Sequence, residues 1–117
     1  MPRPPAPNNA IAELASGLGE EDARELVSMF LKSFDSTLAA LASSDHEEQR
    51  RAAHSLKSSS RIVGLIGLSR QMAELEERLF RNGGAVTPAD LAAARNKFAE
   101  DAPALNAYAS TRADANR

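Results

Sequence analysis

Residues 45–64 read DHEEQRRAAHSLKSSSRIVG, and the fold is decided there. Asp45 with Glu48 three positions on has the spacing of a capping box, which opens a helix by satisfying its first free N–H groups. Gly64 closes it, because a helix end favours a residue that turns left-handed without a Cβ penalty. With about 100° per residue and His54 at zero, Ala52, Leu56, Ser59 and Val63 fall roughly 140–200° away. They form the face expected to be buried. A helix with one apolar stripe and a polar remainder has to pack against others.

The flanking sequence supplies those partners. Upstream, Ala23, Leu26, Val27, Phe30, Phe34, Leu38 and Leu41 recur in steps that keep them on one face of a helix from Glu20 to about Ser43. Glu20, Glu21 and Asp22 sit in its first turn, where carboxylates suit the helix dipole. Downstream, Gly67 precedes a helix with Leu68, Met72, Leu75 and Leu79 on one stripe, ended at Asn82-Gly83-Gly84. Thr87-Pro88-Ala89-Asp90 opens another, with Thr as N-cap and Pro at the first helical position. Leu91, Ala94, Phe98 and Leu105 face inward there, and Pro103 should kink or interrupt it. A short helix over Asn8–Ala15, closed by Gly17 and Gly19, has a minor energetic role as a lid. No strand pattern is present. The expectation is an all-α, antiparallel up-and-down four-helix bundle with a short extra N-terminal helix. Residues 1–7, rich in proline, form a disordered tail, residues 8–110 the bundle, and residues 111–117 a frayed C-terminal tail.

Composition agrees. The 117 residues fit one domain, and 43% hydrophobic with only 4% aromatic puts the core on Leu, Ala, Ile, Val, Met and four Phe. The absence of Cys excludes disulfides, thiolate metal sites and a Cys nucleophile. A net charge of −2 gives no pull toward nucleic acid or an anionic membrane, and no stretch is apolar enough to span a bilayer. Met1–Pro7 lacks the apolar core of a secretory signal, so a cytoplasmic chain, compatible with a monomer, is expected.

The same helical wheel finds the chemistry. His54 points away from the buried face, and Arg50, Arg51, Lys57, Ser58 and Arg61 lie within about 60° of it, with Glu47 two turns earlier. Cations disfavour a protonated imidazole, and a neutral ring keeps a lone pair for nucleophilic attack. They also stabilise a phosphoryl group once attached. On periodicity alone an exposed His among Lys and Arg is more often a solvated helix face. His46, eight residues before His54 and about 12 Å away along the helix, reads as surface and cannot share a metal with it.

The run Ala53-His54-Ser55-Leu56-Lys57-Ser58-Ser59-Ser60-Arg61-Ile62-Val63-Gly64 resembles the signature of histidine-containing phosphotransfer (HPt) domains. In that family the phospho-accepting His is followed by an apolar residue two later, Lys three later, small residues, and Gly ten later. The resemblance reaches from about Glu20 to Leu79. It implies that His54 accepts a phosphoryl group from a phospho-Asp receiver domain, or from a sensor histidine kinase, and passes it to another receiver. Lys57 would stabilise the phosphoryl group. Glu76, twenty-two positions after His54, would orient the ring through Nδ1, although periodicity leaves it on a flank that could face either neighbouring helix. Arg51, Ser58, Arg61, Ile62, Gly64 and Leu65 would contact phosphate or partner, with docking on the first and second bundle helices. The chain needs no cofactor of its own, and Mg²⁺ is expected on the receiver. The family often has Gly where Ser58 stands. That departure keeps open a second reading, an HPt-like module that docks without being phosphorylated. A conventional enzyme is the weakest reading: there is no glycine-rich phosphate loop and no paired-histidine metal motif.

Overall fold

The computed structural model describes residues 6–81 and 83–115, with side chains to Ser110. The expected proline tail over residues 1–5, Asn82 of the expected helix break, and the expected C-terminal tail lie outside the described residues or side chains. Five helices follow in order: α1 Asn9–Leu18, α2 Glu20–Leu41, α3 His46–Ile62, α4 Ile66–Phe80 and α5 Pro88–Ala115. Among the described residues there is no strand, and no helix is long and apolar enough to cross a membrane.

Each boundary has a local cause. Asp45 caps α3 by accepting from the N–H groups of Glu47 (3.0 Å) and Glu48 (3.4 Å). The return bond of the capping box runs through Ser43: its hydroxyl accepts from Asp45 N–H and donates to Glu48 Oε2, both at 3.0 Å. At the other end, Gly64 adopts φ +82°. The Gly64 N–H donates to Arg61 O and the Leu65 N–H to Ser60 O. This is a Schellman turn, whose geometry folds the residue after the glycine back onto the helix. Leu65 is accordingly 3% exposed. It was expected at a docking surface and instead belongs to the core. The chain then enters α4 at Ile66, so Gly67 lies inside the first turn rather than before it.

Helix α1 holds more than the minor role expected of it. It runs through Gly17 to Leu18, and Gly19 closes it at φ +95°. Its Ile11 is fully buried, which contributes roughly 1.5–3 kcal/mol. Its N-cap, Asn8, uses both ends of one amide: Oδ1 accepts from Ile11 N–H, and Nδ2 donates to Val63 O across the chain, each at 2.9 Å. A Cβ on Gly64 would meet that amide at 2.2–2.4 Å, so the glycine is required by contact as well as by dihedral.

The core joins Ile11 to Ala23, Val27, Phe30, Phe34, Leu38 and Leu41 of α2, and to the inner faces of α3, α4 and α5. Phe98 of α5 stacks on Phe34 with ring centroids 3.8 Å apart and tilts against Phe30 at 6.0 Å. Burial of two residues far apart in the chain was also not expected. Tyr108 is 1% exposed, and Arg24 is 2% exposed, its guanidinium 4.9 Å from the Tyr108 ring. Glu20 ties the pair together, accepting from the Tyr108 hydroxyl at 3.2 Å and lying 2.9 Å from Arg24. The Arg24–Glu20 approach is out of line for a hydrogen bond, and Arg24 Nε finds no acceptor among the described residues. Burial and the Glu20 carboxylate together push the Tyr108 hydroxyl above its ordinary pKa.

Helix α5 is not interrupted at Pro103. Pro103 and Ala99 are both exposed, so the carbonyl that loses its N–H partner faces water. The helix start is built as expected. Thr87 Oγ1 accepts from Asp90 N–H at 3.2 Å, and Asp90 Oδ2 accepts from Thr87 N–H at 2.8 Å. Arg78 of α4 grips the same carboxylate through two nitrogens, at 2.6 and 3.3 Å.

Candidate functional site

The buried face of α3 is turned slightly from the one expected. Ala52, Ala53, Leu56, Ser60 and Val63 are buried, while Ser59 is half-buried. The helix packs against α4 as well as α2, and both contacts share the burial. Small side chains at Ala53 and Ser60 let α4 approach closely. Ser69 on α4 can therefore donate from its hydroxyl to the backbone carbonyl of Lys57 at 2.9 Å. Ser60 satisfies its own buried hydroxyl on Leu56 O.

This close seam brings three of the expected site residues together. His54 stands on α3 with its side chain 64% exposed, and Nδ1 lies 2.7 Å from Glu76 Oε2 on α4. Lys57, one turn further along α3, donates from Nζ to Glu76 Oε1 at 2.5 Å. A single carboxylate thus spans the imidazole and the ammonium. The hydrogen bond from Lys57 holds the Glu76 carboxyl below its ordinary pKa; burial opposes this, and the bond with His54 adds to it. Glu76 is therefore ionised near neutral pH and can only accept. Facing a group that only accepts, Nδ1 is placed as a donor, and Nε2 is turned outward with no partner among the described residues.

The other expected residues are spread around this centre. Arg50 pairs with Glu47 at 3.3 Å and lies over the exposed ring of Phe80, 5.5 Å from its centroid. Arg50 meets Phe80, and one turn on His54 meets Glu76, so a step forward on α3 matches a step back on α4. Arg51 lines a shallow groove between α2 and α3 with Ser36, Thr37, Glu48 and Ser55. Ser58 and Arg61 line a notch of about 340 Å³ between α3 and α4, one turn beyond His54. Ile62 is 51% exposed at the end of α3. Gly64 packs under Asn8, about 15 Å along the helix axis from His54. His46 is exposed at the start of α3.

Sequence reading missed the α4 wall of that notch, Ser69, Arg70 and Ala73. Pairing α3 and α4 residue by residue from the His54–Glu76 match would have found it, since Arg61 then falls opposite Ser69. Among the described residues no cluster of three His, Asp or Glu side chains could hold a metal ion.

The family model described as Hpt domain matches residues 25–110. No curated protein and no solved structure matches the chain.

Proposed function

The chain belongs to the Hpt domain family, a family of two-component phosphorelays, and on that premise we propose that His54 is a phosphoryl carrier. The observation that carries this reading is the orientation of one ring. Nδ1 is held at 2.7 Å by an ionised carboxylate, and Nε2 is presented to solvent on a side chain 64% exposed.

The proposed step balances without a further reactant. The Nε2 lone pair attacks the phosphorus of an aspartyl phosphate on a receiver domain. The N–P bond forms, the P–O bond to the aspartate breaks, and its electron pair leaves on that carboxylate. The Nδ1 proton stays on the ring. Positive charge developing on the imidazole is met by Glu76, already in place on the far side. The reverse step delivers the group to a second receiver. Lys57 is one turn from His54, where its ammonium can move from Glu76 to the phosphoryl oxygens. The receiver supplies Mg²⁺ and its own acidic pocket. The scaffold for this is an antiparallel four-helix bundle, α2 to α5, with α1 laid across one end.

The test is transfer of label from phosphorylated receivers of the same organism to wild type and to His54→Gln. Acid-labile label on the wild type and none on His54→Gln is the expected result. Binding of a receiver with no label on the wild type would instead favour a module that docks without being phosphorylated.

A further inference from the structure

Two grooves flank His54, and their linings differ in kind. The groove between α2 and α3 pairs one acid, Glu48, with one base, Arg51, among small hydroxyl side chains. The notch between α3 and α4 is lined by Lys57, Arg61 and Arg70 together with Ser58, Ser69 and Ile66, and by no acid. Glu76 compensates Lys57. Neither Arg61 nor Arg70 has an ion-pair partner among the described residues. This local excess stands on a chain whose net charge is −2, so it does not reflect general basicity.

The apolar surroundings say what kind of anion fits. Ile66 is 47% exposed within the notch, and Ile62 is 51% exposed at the end of α3. A free inorganic anion gains nothing from exposed isoleucines, whereas a protein surface covers them while pairing its carboxylate with the guanidiniums. The notch volume of about 340 Å³ takes an acidic side chain with part of its neighbour. Arg61 lies seven residues from His54, about 10 Å along the helix, so the anion it meets is distinct from the group being transferred.

We propose that the receiver docks along the α3–α4 seam, seating a carboxylate side chain from the rim of its active site between Arg61 and Arg70. This rests on the phosphoryl-carrier reading and adds the docking face and the partner's chemistry. It moves the face away from the α2–α3 side expected from the sequence. A cationic notch beside the reactive ring steers an acidic partner into register and acts mainly on encounter.

The experiment measures receiver-to-chain transfer at several chain concentrations and salt levels. It compares wild type, the double reversal Arg61→Glu with Arg70→Glu, and a control reversal of equal charge, Lys32→Glu with Arg95→Glu, on α2 and α5. Circular dichroism melts check that all three fold. The expected result is a half-saturating concentration raised at least about tenfold at low salt for the notch variant alone, a saturating rate within about twofold of wild type, and a flattened salt dependence. If the wild type is labelled and the notch variant matches it, or the control falls equally, the docking assignment is wrong and the carrier reading survives. If no receiver labels the wild type, the carrier reading fails and the docking assignment with it.

Discussion

Replacing Glu76 by Gln keeps the shape of the side chain and removes its charge. That isolates what the carboxylate does for His54. In the proposed transfer, positive charge develops on a ring whose other nitrogen is 2.7 Å from Glu76 Oε2. The side chains of His54 and Glu76 are 64% and 29% exposed, so the effective dielectric lies between that of a surface pair and that of water. Over roughly 5 Å between charge centres this gives about 1–2 kcal/mol. The saturating rate of transfer should therefore fall about 5- to 30-fold. Because Glu76 lies behind the ring, the half-saturating concentration should stay near that of the wild type. Single-turnover transfer from a phosphorylated receiver reads both quantities. A saturating rate within twofold of wild type, or a loss confined to half-saturation, would refute the assigned role. A pH series adds a second check. Lys57 holds the Glu76 carboxyl below its ordinary 4.5, so the stability it contributes is fully present above that value and is lost as pH falls through the lowered folded pKa. The melting advantage of wild type over Glu76→Gln should shrink as pH falls below 4.5.

Three other outcomes concern the scaffold. Gly64→Ala forces a side chain into a left-handed turn and against the Asn8 amide, and should cost about 2–3 kcal/mol in urea denaturation. The cost should drop when combined with Asn8→Gly, and strict additivity would show that the two do not meet. Asp90→Ala removes the return half of the α5 capping box and the partner of Arg78, and should cost about 2 kcal/mol; an unchanged denaturation midpoint would contradict that role. Arg24→Met replaces a buried guanidinium with poorly aligned partners by an apolar chain of similar length. It should leave stability unchanged or raise it by about 1 kcal/mol, and a loss above about 2 kcal/mol would show that the Glu20–Arg24–Tyr108 cluster is needed.

Much of this architecture is legible in the residues. Helices α2, α3 and α4 follow from apolar steps of three and four, and their ends from Asp45, Gly64 and the glycines after Phe80. What escapes is whatever depends on a second element. Ile11 looks like an isolated apolar residue until α2 and α3 provide its walls. Arg24 reads as surface because its charge is polar in every scale, yet Tyr108 covers it from eighty-four positions away. Leu65 looks exposed if the helix axis is simply extended, whereas the Schellman turn swings it inward. The site divides in the same way. Spacing puts His54 and Lys57 on the outer face of one helix, and the resemblance of the surrounding run to the HPt signature singles them out. Which way Glu76 faces, and the cationic character of the notch through Arg70, require the α3–α4 register, which periodicity within one helix does not contain.

The Asn8 amide has a consequence for anyone borrowing this protein as a part. The recognisable stretch begins at residue 25, yet the amide that closes the end of α3 lies seventeen positions earlier. A fragment trimmed to the recognisable stretch would leave the Val63 carbonyl bare, open a hole where Ile11 sits, and separate Tyr108 from both Arg24 and Glu20. For transplantation into a fusion or a synthetic signalling circuit, the portable unit starts at or before Asn8. The segment that resembles no signature is what keeps the signature in shape.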